Sequence, residues 1–166
     1  MIVELEHLVP RLEQERRNNK VIVTTNGCFD VLHVGHVRYL HEARKLGDIL
    51  VVGVNGDRSP YFKTKPGRPL NPEQDRMEVV AALSSVSFAF LYDDENPISW
   101  VERLRPQIHV KCTDATYTLK DCVERGAVER CGGNVVLLPK VEGRSTTDIV
   151  SKILTVYGQS YRALLT

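Results

Sequence analysis

The sequence predicts a doubly wound α/β domain with a mostly parallel, five-stranded, Rossmann-like sheet. Short β-branched runs such as residues 21–25 (VIVTT) and 49–54 (ILVVGV) are typical of buried parallel strands. Segments with helical apolar spacing alternate with these runs, and glycine-containing turns separate the two kinds of segment. A length of 166 residues suits one core. We therefore predict a single domain over 1–166, with its core in 20–154.

The predicted elements follow one another from the N-terminus. A helix over residues 2–18, weakened or kinked by Pro10, precedes the strand at 21–25. Further strands are predicted at 49–54, 86–91, 108–111 and 135–139, and further helices at 37–46, 74–83, 98–104, 119–130 and 149–154. Residues 155–166 are treated as a C-terminal tail.

Composition excludes several classes of partner. The net charge of +1 gives no reason to expect nucleic acid or a membrane as partner. The charged N-terminus and the lack of a long apolar run predict a cytoplasmic protein. Four cysteines without a C-x-x-C pair indicate free thiols rather than a zinc site. Neither a P-loop nor a G-x-G-x-x-G motif is present, which argues against phosphotransferases and dinucleotide oxidoreductases of those types.

The stretch around which the chain is organised lies between residues 21 and 46. Its strand ends in the turn Asn26-Gly27, and His33, Gly35 and His36 follow at the start of the next helix. A strand, a turn and a helix in this order aim backbone N–H groups and a helix dipole at an anion. Two imidazoles there can donate hydrogen bonds to phosphate oxygens. Surface histidines beside a solvated helix are the simpler interpretation, but the combined order favours a phosphate site.

Four further parts of the sequence are candidates for the same site. Asn55 and Asp57 follow the second strand, at the sheet edge where α/β proteins bind ligands, although a plain polar turn explains them equally well. The basic stretch 61–72 could cover a polyphosphate, although its composition alone favours a solvated loop. Arg76, in the first turns of a helix, calls for an opposing ligand phosphate or carboxylate. Residues 145–148 (STTD) form a capping box by spacing, and their hydroxyls could equally bind a triphosphate.

Two motifs give the chain a family resemblance. Residues 25–30 (TNGCFD) followed by 33–36 (HVGH) resemble the opening of the cytidylyltransferase-like nucleotidyltransferases. Within that superfamily, the sequence is most similar to the adenylyltransferases that make ADP-activated heptose from a heptose 1-phosphate. The likeness extends over residues 20–154 and includes the segments 67–72 and 144–147.

The resemblance implies the fold of the His-x-Gly-His nucleotidyltransferases and a reaction in which AMP passes from ATP to a sugar phosphate. The acceptor phosphate is already an anion, so catalysis is positioning and electrostatics. Mg²⁺ would accompany the triphosphate, and no metal ligand is assigned. The implied partners are the nucleoside triphosphate, the sugar phosphate and a second copy of the chain in a homodimer.

The resemblance also implies residue roles. The catalytic residues would be His33, His36 and Lys63. The nucleotide would be bound by Thr25, Asn26, Gly27, Phe29, Gly35, Arg144, Ser145, Thr146 and Thr147. The substrate would be bound by Asp30, Asn55, Asp57, Lys65, Arg68, Arg76, Lys111 and Asp114.

Two alternative functions remain open from the sequence. A cytidylyltransferase acting on glycerol 3-phosphate or a related alditol phosphate shares much of this pattern, because no residue visibly reads the base. A non-catalytic nucleotide-binding regulator is disfavoured by the two histidines. One departure from the heptose enzymes is Cys112-Thr113, where two glycines are usual before the aspartate. We expect this change to reshape the acceptor pocket.

Overall fold

The computed structural model describes residues 1–63, 66–113 and 116–164, and for 159–164 it describes the backbone alone. The strands are β1 (Ile22–Gly27), β2 (Ile49–Asn55), β3 (Phe88–Tyr92), β4 (Ile108–Thr113) and β5 (Asn134–Pro139). The helices are α1 (Leu5–Arg17), α2 (Val34–Arg44), α3 (Pro60–Lys63), α4 (Glu73–Ala81), α5 (Ile98–Leu104), α6 (Arg125–Arg130) and α7 (Thr146–Leu164).

All five strands are parallel and lie in the order β3-β2-β1-β4-β5, which confirms the predicted Rossmann-like α/β sheet. The chain builds outward from β1 to β3 and then returns to place β4 on the other side of β1. The strand order therefore reverses between β1 and β4, and ligands of such sheets bind at the carboxyl ends of the strands at this point. Thr25 pairs with Val110 in that strand pair, so the next residues on each strand approach the same edge.

Each face of the sheet carries its own apolar layer. Leu12, Phe90 and Trp100 belong to one buried cluster, which the helices α1, α5 and α6 cover. Leu40 and Met77, from α2 and α4, belong to the cluster on the other face. The layering fits strands that are apolar on both sides.

The structure corrects the prediction at both ends of the chain. Helix α1 begins at Leu5 and continues through Pro10, because the fully buried Leu8 and Leu12 anchor it on the sheet. Residues before it run along β3, and the Val3 N–H donates to the Ala89 carbonyl at 3.0 Å. At the other end, the predicted helix 149–154 and most of the tail form one helix, α7.

The predicted helix over residues 119–130 is also too long. Only Arg125–Arg130 is α-helical, and the preceding residues form turns. Asp121 closes one turn by accepting a hydrogen bond from the Thr118 N–H at 2.7 Å, as aspartates often do in turns. Glu124 then enters the interior, where it is 1% exposed. Within the described part of the chain, no helix is both long and apolar enough to cross a membrane.

Candidate active site

The loop between β1 and α2 lies at the carboxyl end of the central strand. Phe29 has φ of 49°, and its ring packs against the backbone of Gly27. A Cβ at Gly27 would lie 3.0 Å from the Phe29 ring. The glycine therefore lets the ring fold back over the end of β1, and the loop reverses towards α2.

His33 caps the N-terminus of α2 with its own ring. Its Nδ1 accepts a hydrogen bond from the Gly35 N–H at 3.1 Å, which only an unprotonated nitrogen can do. Burial lowers the pKa of His33, although Asp148 opposes this shift. The neutral ring therefore carries its proton on Nε2, which is the donor that remains for a ligand.

His36 stacks on His33, with 3.9 Å between ring centroids and 26° between planes. Burial, together with the neighbouring His33, lowers the pKa of His36 to about 4. Its Nδ1 is buried and has no hydrogen-bond partner among the described residues. A buried ring nitrogen without a partner is uncommon. The His36 ring itself lines the cleft.

The N-terminus of α7 meets the N-terminus of α2 at Gly35. A Cβ at Gly35 would lie 2.8 Å from His33 Nδ1 and 2.9 Å from the Arg144 carbonyl oxygen, so only glycine fits this approach. The Thr146 hydroxyl donates to the Val31 carbonyl at 3.4 Å and links the same two segments. Two helices thus direct their N-terminal dipoles at one place, where an anion is stabilised.

The predicted capping box at the start of α7 is confirmed. The Ser145 hydroxyl donates to Asp148 Oδ2 at 2.7 Å, and the Asp148 N–H donates to Ser145 Oγ at 3.1 Å. This hydroxyl is thus engaged in the cap. Thr146 and Thr147 follow it in the cleft wall.

Asp30 anchors the predicted basic segment to the loop. Its carboxylate is 3% exposed and accepts from the Leu70 and Asn71 N–H groups at 2.7 and 3.0 Å. It also pairs with Arg68 Nη1 at 3.3 Å. The carboxylate therefore holds Arg68 at the cleft through contacts within the protein.

Arg76 lies behind this loop, with a fully buried side chain. It donates to Asp57 Oδ1 at 2.7 Å and to the Asn71 and Cys28 carbonyls at 3.0 and 2.5 Å. The sequence allowed either a ligand phosphate or a carboxylate as the anion opposite Arg76, and in the structure it is the carboxylate of Asp57. Asn55 is also buried and donates to Ser59 Oγ at 3.2 Å.

These parts enclose a cleft of about 500 Å³ at the carboxyl edge of the sheet. The predicted site residues that line it are Asn26, Gly27, Phe29, Asp30, His33, Gly35, His36, Arg68, Arg144, Ser145, Thr146 and Thr147. It is also lined by Cys112, one of the two residues expected to reshape the acceptor pocket. Five further lining residues were not singled out from the sequence as ligand contacts, namely Cys28, Tyr39, Tyr61, Lys140 and Val141. Lys140 directly follows β5 at this edge, and that position is the signal that could have found it.

The other predicted site residues do not line the cleft in the described part of the chain. Thr25 is buried and contacts Tyr39. Lys63 is exposed at the end of α3, and Lys111 bonds to groups beneath the cleft. Asn55, Asp57 and Arg76 form the layer behind the loop. Lys65 and Asp114 lie outside the described residues.

A second concavity, of about 440 Å³, is lined partly by Arg16, Arg105 and Gly132. Arg16 donates there to the carbonyls of Leu104 and Arg105, at the end of α5. This side chain satisfies carbonyls that the helix leaves open, and we assign it a structural role.

The comparisons with known proteins agree with this geometry. Residues 24–152 match the sequence profile described as cytidylyltransferase-like. The chain therefore belongs to the cytidylyltransferase-like family, and fold and site define it as a nucleotidyltransferase.

Among curated relatives, the chain is 48% identical to the bifunctional protein HldE of Syntrophotalea carbinolica over 93% of its own length and 31% of that protein. It is 43% identical to the HldE of Methylobacillus flagellatus, over 92% of this chain and 31% of that protein. The chain thus spans about a third of the length of these relatives. A solved lipopolysaccharide core biosynthesis protein from Thermoplasma volcanium is 28% identical, with a TM-score of 0.61 over 74% of this chain and 97% of that one.

Proposed function

We propose that this chain transfers AMP from ATP to a sugar phosphate, most specifically a heptose 1-phosphate, and releases pyrophosphate. The observation that carries the proposal is the stacked pair His33–His36, placed where the N-termini of α2 and α7 meet. Both imidazoles are held neutral by burial, so each is a hydrogen-bond donor without a charge of its own. Such donors suit oxygens whose negative charge grows during the reaction.

The chemistry needs no general base. An oxygen of the acceptor phosphate attacks the α-phosphorus of the nucleotide, and the bond from that phosphorus to the bridging oxygen of the leaving pyrophosphate breaks. His33 Nε2–H would donate to an oxygen on this path, since its Nδ1 is engaged by the Gly35 N–H. His36, whose ring lines the same cleft, would donate to a second oxygen. Catalysis is then positioning and electrostatic stabilisation.

Cations at the cleft would neutralise the polyphosphate. Arg68, Lys140 and Arg144 line it from different segments of the chain. The described residues contain no group of three histidine, cysteine, aspartate or glutamate side chains that could hold a metal ion. We infer from the chemistry of nucleoside triphosphates that Mg²⁺ would enter bound to the triphosphate oxygens, where it would neutralise the charge of the leaving pyrophosphate.

The identities of the acceptor and the nucleotide are inferred from similarity to known proteins. The sequence resembles the adenylyltransferases that make ADP-heptose, and the relatives named HldE share 43–48% identity with it. The solved neighbour is a lipopolysaccharide core biosynthesis protein, which also supports a substrate from sugar chemistry. A cytoplasmic location and a homodimer stay predictions.

Pyrophosphate release tests the proposal. The purified protein is mixed with Mg²⁺, ATP or CTP, and either heptose 1-phosphate or glycerol 3-phosphate. We expect release with ATP and heptose 1-phosphate, and an ADP-linked sugar as product. A CDP-linked product from glycerol 3-phosphate would overturn the assignment in favour of a cytidylyltransferase. Nucleotide binding without release from any pair would indicate a regulator.

A further inference from the structure

A buried polar network lies beneath the cleft, between β1 and β4. We call it the β4 network and define it by Thr24, Asn26, His109, Lys111 and Glu124. His109 and Glu124 are 0% and 1% exposed, and Thr24 is also fully buried. Of the five residues of the network, Asn26 is the one that lines the cleft. The network therefore connects the interior of the domain with the ligand site.

The hydrogen bonds of His109 fix its proton. Its Nε2 lies 3.1 Å from Glu124 Oε1, and its Nδ1 lies 2.8 Å from Thr24 Oγ1. Burial lowers the pKa of His109, which keeps the ring neutral. A neutral ring donates from one nitrogen only. Nε2–H therefore donates to the carboxylate, and the Thr24 hydroxyl donates to Nδ1.

Glu124 is the anion at the centre of the network. Burial raises the pKa of its carboxyl, but the bond from His109 and the Lys111 ammonium outweigh burial and lower the pKa to about 2. Lys111 Nζ lies 2.6 Å from Glu124 Oε1. A carboxylate taken out of water is tolerated only with partners of this kind.

Lys111 connects Glu124 with Asn26, which lines the cleft. Its ammonium also donates to Asn26 Oδ1 at 3.1 Å. The Asn26 amide nitrogen donates to the Tyr92 hydroxyl at 2.8 Å. The amide is thus held at both of its ends, and its orientation at the cleft follows from the position of the Lys111 ammonium.

A role in stability alone does not explain this arrangement. Buried ion pairs contribute little net stability compared with apolar side chains of similar size. An apolar group could fill the same space, but it could not hold a charged donor against a cleft residue. The continuous chain of bonds from Glu124 to Asn26 is the feature that calls for a function.

We propose that Glu124 is a positioning residue, which fixes the Lys111 ammonium so that Lys111 orients Asn26 for the bound nucleotide. Lys111 is thereby a support for the cleft rather than a direct substrate contact. This inference rests on the proposed nucleotidyl transfer, because its main readout is that reaction.

A mutant cycle tests the proposal with wild type, Glu124→Gln, Asn26→Ala and the double variant. Glutamine keeps the volume and can still accept from His109, but it lacks the charge that attracts Lys111. We expect Glu124→Gln to lower kcat/KM for ATP about tenfold, the scale of effects transmitted through one intervening side chain. In the Asn26→Ala background, the same change should alter kcat/KM by less than about twofold, because Asn26 no longer transmits it.

An equal loss in both backgrounds would overturn the proposal, since a general loss of stability does not depend on Asn26. Glu102→Gln is the matched control, because it removes an exposed carboxylate that pairs with Arg130 at 2.6 Å, and it should leave kcat/KM unchanged. If Asn26→Ala melts below the assay temperature, Asn26→Ser replaces it.

Failure of the proposed function is a separate result. If the wild-type protein releases no pyrophosphate with any substrate pair, the same four proteins are compared by calorimetry with the non-hydrolysable α,β-methylene analogue of ATP. The proposal then requires the same non-additive pattern in Kd. Additive changes in Kd would overturn it.

Discussion

His36 is a half-buried imidazole at the cleft, whereas the imidazole of His109 is fully buried inside the domain, and their hydrogen bonding differs. Burial lowers the pKa of each ring. His109 has a partner on both ring nitrogens, whereas His36 Nδ1 has none among the residues that the structure describes. Native proteins satisfy nearly all buried polar atoms, so the unpaired Nδ1 of His36 sets this cleft residue apart from His109. We therefore propose that His36 contacts the ligand and that His109 supports the cleft from within the domain.

The largest expected effect on kcat comes from replacing His36. We expect His36→Ala to lower kcat about 100-fold or more, the scale of losing one preorganised donor in a transition state. Nucleotide Kd should change far less, because the donor acts mainly on charge that develops during transfer. Steady-state pyrophosphate release and calorimetry measure the two quantities.

His41→Ala is the matched control on the same helix, at an exposed position. It should leave both quantities unchanged. A near wild-type kcat for His36→Ala would remove His36 from the chemistry. The difference between His36 and His109 would then have no catalytic meaning.

Much of this site could be predicted because its signals are local. The strand 21–25, the turn and the His-x-Gly-His helix follow one another in the sequence, and the capping box at 145–148 is a pattern of four residues. The alternation of strands and helices likewise predicted the sheet. These features depend on neighbours along the chain, which a sequence displays directly.

The β4 network could not be predicted in this way. Glu124 falls in a polar segment that resembles a solvated helix, and nothing local indicates that its carboxylate is buried. Its partners His109 and Lys111 lie on β4, and these two side chains in turn bond to β1. The two strands lie far apart in sequence and meet only through the strand order. The same limit applies to Lys111, whose substrate role stays a prediction, because the sequence shows its position at the ligand edge but not its buried partner Glu124.

The second prediction concerns Cys112 and Thr113 at the end of β4. Neither Cys112 nor Thr113 is among the described residues with positive φ, and both pair regularly with β5, so the replacement of two glycines causes no backbone strain. The two side chains point to opposite faces of the sheet, as neighbouring residues do in any strand. Cys112 is exposed and lines the cleft, whereas Thr113 is buried and donates to the Leu138 carbonyl at 3.4 Å.

We therefore expect Cys112→Gly to change acceptor KM several-fold while nucleotide Kd stays within about twofold, because the added space lies in the cleft. Thr113→Gly should instead lower the melting temperature and leave acceptor KM near wild type, because a buried strand residue is lost. Kinetics with several sugar phosphates and thermal melts separate the two. If Cys112→Gly weakens the nucleotide and spares the acceptor, Cys112 lies on the nucleotide side of the cleft.

The smallest expected effect concerns acid stability and follows from the pKa of His36. Burial lowers this pKa to about 4 from the ordinary value of 6.5. Between these two values the unfolded chain binds a proton at this ring and the folded protein does not. Stability therefore falls as the pH drops from about 6.5 towards 4, and the loss is absent above that window.

His36→Gln removes this one contribution, while the similar effects of His33 and His109 remain in both proteins. We expect the melting temperature of wild type to drop more between pH 7 and pH 5 than that of the variant. The difference should be roughly 2–4 °C, the shift that about 1 kcal/mol produces in a domain of this size. Calorimetric melts at the two pH values measure it, with the exposed His7→Gln as control. An equal drop in His36→Gln and wild type would mean that the ring takes up its proton in the folded state as readily as in water, so that the buried nitrogen is not held neutral for the reaction.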